Sequence, residues 1–181
     1  MIVAREKRKN NVAEYILYMW YVEDLIRACN MEFTIIKEKI ISGYKTDIAT
    51  KHEISEWYQE LIHLMIQENI TVSGHFQFLN KLIHDLNSIH EQLLLTNNDK
   101  YLQIYNSAKP SIELFRTKSN NSSGNDIEIC LNALHSYLFL KISKKEISDE
   151  TAESMKSFSS LLSILSFYFR KLEEGDAHEK N

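Results

Sequence analysis

The sequence predicts an all-α protein, a single-domain helical bundle of about six or seven helices with mostly antiparallel packing and shallow crossing angles. Three observations carry that prediction. Four glycines and one proline in 181 residues leave β-hairpins short of the turn residues they need. Apolar residues return every three or four positions in one stretch after another, as they do on helices that bury one face. The same rhythm on successive helices favours crossings of about +20°, as in left-handed bundles. Hydrophobic residues make up 44% and charged residues 25% of the chain, an ordinary globular balance. A chain of this length buries roughly 70% of its unfolded surface and needs no staples.

The first helix is expected from about Ala4 to Ala28, with the stripe Val12, Tyr15, Met19, Val22, Ile26 and Cys29. Leu17, Tyr18, Tyr21 and Leu25 occupy its other sides, so it needs neighbours on more than one face, in a central position or at an interface between two copies. Asn30 is placed to cap a short second helix bearing Phe33, Ile36 and Ile40, which ends near Ser42-Gly43. After a loop from Tyr44 to Thr50, a third helix carries Ile54, Trp57, Tyr58, Leu61, Leu64 and Met65. Ser73-Gly74 separates it from a fourth with Phe76, Leu79, Ile83, Leu86 and Leu93.

Asn97, Asn98 and Asp99 form a turn and cap. Tyr101, Tyr105, Ala108, Ile112 and Phe115 then continue through Pro110, where the helix should bend or divide. The polar segment Lys118 to Asn125 reads as a mobile surface loop. Asn125 and Glu128 form a capping box for a sixth helix with Ile127, Cys130, Leu131, Leu134 and Leu138. Ser148 opens a seventh, whose seam is Met155, Phe158, Leu162, Leu165, Phe169 and Leu172. One domain over residues 1–172 and a disordered polar tail over 173–181 complete the expectation.

The net charge of -4 supplies no general attraction to nucleic acid or anionic lipid, so neither is an expected partner. No stretch reaches the 18 or so apolar residues of a membrane span. Arg5, Lys7, Arg8 and Lys9 ahead of the apolar run Tyr15 to Val22 resemble an export signal, but Glu14, Glu23 and Asp24 interrupt and close it, which makes the cytoplasm the expected compartment. Cys29 and Cys130 each sit among apolar residues and read as small buried thiols.

Glu60 and His63 have the Glu-x-x-His spacing of carboxylate-bridged dimetal sites. Measured from Leu61, at the centre of the apolar stripe, they point about 100° and 160° away from the core, and there is no second such motif. No zinc spacing and no glycine-rich phosphate loop occurs, so neither a metal nor a cofactor is expected. His90 lies in the seam of the fourth helix, where a histidine bonded to a neighbouring helix is the bland reading. Glu23 lies within about 40° of Met19 on the buried side of the first helix, and Arg27 one turn later is its expected partner. Tyr15 and Trp20 would wall a pocket beside it. The basic run reads as a solvated helix start, with nucleic acid as the lesser alternative. Ser159, Ser160, Ser163 and Ser166 share a side of the last helix without a base to activate them.

The segments Ile2-Val3-Ala4-Arg5-Glu6-Lys7-Arg8-Lys9, Ala13-Glu14-Tyr15-Ile16-Leu17-Tyr18-Met19-Trp20 and Val22-Glu23-Asp24-Leu25-Ile26-Arg27-Ala28, with echoes at Trp57-Tyr58, Gly74-His75, Asn132-Ala133-Leu134 and Lys145-Glu146-Ile147-Ser148, resemble a family of small Bacteroidetes-type bacterial proteins. That family is catalogued only as a domain of unknown function. The resemblance implies an all-helical cytoplasmic protein and brings no activity or functional residue with it. From the residues themselves, the expectation is a non-enzymatic bundle acting through protein contacts, with a second copy of the chain or an unidentified protein as partner. The alternatives are an enzyme or small-ligand binder with a pocket around Glu23, Arg27, Tyr15 and His90, and nucleic-acid binding through the basic N-terminal turn.

Overall fold

The computed structural model describes residues 2–118 and 124–179. Among them the chain is all-helical, with eight α-helices and one 3-10 turn: α1 (Ile2–Asn10), α2 (Val12–Ala28), α3 (Phe33–Lys39), the turn Ile41–Gly43, α4 (Ile48–Gln67), α5 (Gln77–Leu95), α6 (Asp99–Lys118), α7 (Asp126–Ile142) and α8 (Asp149–Glu179). The count exceeds the expected six or seven because the first helix is two. Asn11 adopts an extended backbone and its side chain accepts the N–H of Glu14, so it begins a new helix instead of continuing the old one. The loop expected over Lys118 to Asn125 falls largely on residues 119–123, outside the described residues.

Most helices stop without glycine. At the ends of α2, α4, α5 and α7 the chain turns through the left-handed region at Asn30, Asn69, Asn97 and Lys144. In each case the next amide bonds a carbonyl five residues back, as from Met31 to Ile26 and from Ile70 to Met65. This is the Schellman closure of a helix C-terminus. Asn30 therefore ends α2, where the sequence suggested a start for α3, and α3 begins at Phe33 after Glu32, whose side chain makes no capping bond. The starts of α6 and α7 follow the sequence, while α4 starts at Ile48, inside the loop expected from Tyr44 to Thr50. Asp47 accepts the Thr50 N–H at 2.8 Å, Asn98 the Tyr101 N–H at 3.0 Å, and Asn125 with Glu128 forms the full capping box. α6 runs unbroken through Pro110. The carbonyl left without its amide belongs to Asn106, an exposed residue whose backbone water can serve.

α8 is the hub and packs against α2, α5, α6 and α7. Its expected seam is buried from Met155 to Phe169, whereas Leu172 stands half exposed. The helix runs on to Glu179 through the stretch expected to be a disordered tail. There Glu173 pairs with Arg8 of α1 through two bonds of 2.6 and 3.0 Å. Ser166 is buried where α8 meets the break between α1 and α2: its hydroxyl donates to Asn11 Oδ1 at 2.8 Å and accepts from the Ala13 amide at 3.2 Å. The stripe of α2 is buried apart from Tyr15; Ala13, Ile16 and Trp20 are buried as well, and Leu17, Tyr18, Tyr21 and Leu25 are half-buried. Within the chain α5, α7 and α8 pack against this helix. Cys29 and Cys130 are free, buried thiols. No helix among the described residues is long and apolar enough to cross a membrane.

Candidate functional site

α5 enters the bundle with Phe76 in the N-cap position, a residue with no side-chain acceptor for the helix's first amides. Those amides carry the positive end of the helix dipole and need partners from elsewhere. Two glutamates provide them. Glu23 of α2, wholly buried, accepts the Phe76 N–H at 2.9 Å, and Glu68 accepts that of Gln77 at 2.7 Å. The second oxygen of Glu23 meets His75 Nδ1 at 2.6 Å. The His75 ring stacks on Trp20 with centroids 4.2 Å apart, and the edge of Trp20 meets His135 of α7 at 5.4 Å.

The circuit continues around Trp20. His135 Nε2 stands 3.2 Å from Asp24, and Asp24 pairs with Arg27 at 3.0 Å. Arg27 also donates to the Ile70 carbonyl at 3.1 and 3.3 Å and to that of Gly74. Burial acts to raise the Asp24 pKa, but hydrogen bonds and charges from His135 and Arg27 outweigh it and hold the carboxyl below its usual range. The expected Glu23–Arg27 pair does not form. Each side chain instead takes a backbone partner in the connection between α4 and α5, where amides and carbonyls lack partners of their own. A carboxylate beside a histidine is also how acid–base dyads are built. Among the described residues, however, no hydroxyl or thiol meets His75, and Asp24, Arg27 and His135 are each engaged.

His90 belongs to a second junction. It is buried in α5 with Nδ1 bonded to the Tyr101 hydroxyl of α6 and Nε2 4.0 Å from Asp126 of α7. Asp126 accepts the Tyr105 hydroxyl at 2.7 Å and pairs with Arg116, which donates to the Gly124 carbonyl at 2.6 Å. Burial pushes the His90 pKa down, against the opposing charges of Asp126 and Glu91. Cys130, in the same helix as Asp126, has its thiol pKa pushed up by burial, which leaves it inert.

Tyr15 lines neither junction. It borders an open groove of about 850 Å³ together with Arg5, Arg8 and Lys9 of α1, Trp57 of α4, and Arg170, Glu173 and Glu174 of α8. Eight residues along α2 separate Tyr15 from Glu23, or about 12 Å. His90 lies fourteen residues into α5 from the amide that Glu23 holds, about 21 Å. The four residues proposed for one pocket thus occupy three places, with only Glu23 and Arg27 together.

Glu60 and His63 are exposed while Leu61 is buried, as the helical wheel required. No cluster of three potential metal ligands occurs among the described residues. His75, His135 and Asp126 were not found from sequence, because their partners lie on helices far along the chain. One signal pointed to His75: a helix start with phenylalanine at the cap, next to a histidine, needs an acceptor from elsewhere, and Glu23 was a buried acceptor in search of donors.

No curated protein and no solved structure matches the chain. A family model described as domain of unknown function (DUF4924) matches residues 1–176, nearly the whole length, and the chain belongs to that DUF4924 family.

Proposed function

We propose that this protein is a non-enzymatic helical bundle that works by holding a partner, and that it does so in the groove between α1, α4 and α8. One observation carries the reading, the unequal use of charge. At the Glu23 and His90 junctions the charged side chains are bonded to the fold itself. In the groove, Arg5 and Lys9 are exposed and have no hydrogen-bond or ion-pair partner among the described residues. Groups held ready for chemistry tend to cost a fold stability, whereas groups that fasten it add to stability.

A panel of variants followed by urea denaturation separates the two kinds of residue. Glu23→Ala leaves the Phe76 amide and His75 without their acceptor and is expected to cost about 3 kcal/mol. His90→Ala should cost about 2 kcal/mol by the same logic. The double variant Arg5→Ala/Lys9→Ala is expected to stay within about 0.5 kcal/mol of the parent. Buried-junction variants as stable as the parent would mean that those side chains serve something other than the fold, and the binding-only reading would be abandoned.

A further inference from the structure

We infer that the groove takes a small phosphorylated molecule with a planar ring, of the nucleoside monophosphate class. This rests on reading the groove as the recognition surface and adds the chemistry of what fills it. Arg5, Arg8 and Lys9 stand at i, i+3 and i+4 on α1, a spacing that brings side chains onto one face of a helix, and Arg170 of α8 lines the same space. Guanidinium groups match the geometry of phosphate oxygens and form charge-assisted bonds to them. The two carboxylates of the groove are already engaged, Glu173 by Arg8 and Glu174 by Lys171 at 3.2 Å and by Arg170 at 3.6 Å. Arg5 and Lys9 are the cations left over.

Size and composition narrow the ligand further. About 850 Å³ lies within the usual range for a drug-sized molecule and is far more than a bare phosphate fills. Trp57 and Tyr15 present aromatic surface on which a planar ring can stack. Glu173 and Glu174 can also accept hydrogen bonds from the hydroxyls of a sugar phosphate. A long nucleic acid fits less well. The basic surface is local on a chain whose net charge is -4, so phosphates beyond the groove gain no general attraction from the protein.

The test is titration calorimetry on the full chain, with adenosine and guanosine monophosphates set against adenosine, ribose 5-phosphate, inorganic phosphate, a twelve-residue oligothymidylate (about the length one such groove could span) and a glutamate-rich peptide. A monophosphate is expected to bind about tenfold more tightly than any of the others. Arg5→Ala/Lys9→Ala should weaken it by a similar factor at unchanged thermal stability. The bound ring should also quench tryptophan fluorescence in the parent and not in Trp57→Phe. Inorganic phosphate or ribose 5-phosphate binding as well as the monophosphate would remove the ring from the proposal, and tighter binding of the oligothymidylate would replace it with nucleic acid. If only the acidic peptide binds, and does so through Arg5 and Lys9, the ligand class is wrong and the groove reading stands. If no anion binds in a manner dependent on those two residues, both fall.

Discussion

Glu23 shows how a charge can be taken out of water without a counter-charge beside it in sequence. Its oxygens face a backbone amide at the positive end of α5 and the nitrogen of His75, and together these offset the desolvation that an isolated carboxylate would suffer. The place of Glu23 on the apolar side of its helix was readable from its angle on the helix wheel, and its full burial is the structure's finding. Its partner was not, because Arg27 is adjacent on the wheel while His75 and Phe76 reach it only after α4 has folded back. His90 gives a pH signature with a definite sign. Burial lowers its pKa from the ordinary 6.5, so below that pH the unfolded chain binds a proton that the folded chain resists. Stability contributed by neutral His90 is complete above 6.5 and declines as the pH falls below it. Urea midpoints measured from pH 7.5 to 5.5 should therefore fall more steeply for the parent than for His90→Asn. Parallel profiles would show that His90 takes up its proton in the fold as readily as outside it.

The elements were legible where side chains specify them and obscure where the backbone does. Asn98, Asn125 and Ser148 open their helices as read, since a short acceptor before an apolar rhythm is a local signal, and Asp47 carries the same signal within a stretch taken for a loop. Ends were harder. With four glycines in the chain, the left-handed closures fall to asparagine and lysine, and an asparagine looks the same whether it begins one helix or ends another. Asn11 was missed for a related reason: apolar spacing on both sides of it is nearly in phase, so the helix seems to continue until the side chain is seen capping Glu14. Lys144, at φ 51°, is a long side chain in a conformation that glycine holds without strain. Lys144→Gly is expected to raise stability by about 1 kcal/mol in thermal or urea unfolding. A loss instead would mean that the lysine side chain makes up for the strain.

For the molecule as a whole, composition and rhythm sufficed to predict an all-helical fold, because both are averages over many residues. They could not show which faces meet. The groove draws Arg5, Trp57 and Arg170 from three distant segments, and no window of the sequence holds them together. The apolar surround of α2, which in the sequence suggested a second copy of the chain, packs within one chain against α5, α7 and α8, with Leu17, Tyr18, Tyr21 and Leu25 half-buried. Light scattering at micromolar concentration is accordingly expected to return a monomer of 21.3 kDa. A stable dimer would require an interface on some other face.

The contact between Asn11 and Ser166 spans 155 positions, and that between Arg8 and Glu173 spans 165. Synthesis on the ribosome delivers one end of each contact long before the other. The break at Asn11 therefore has to wait in the nascent chain until α8 has emerged, and the closure that follows is of high contact order. Until then α2 lacks the part of its cover that α8 supplies, and transiently exposed apolar surface of that kind favours misassociation.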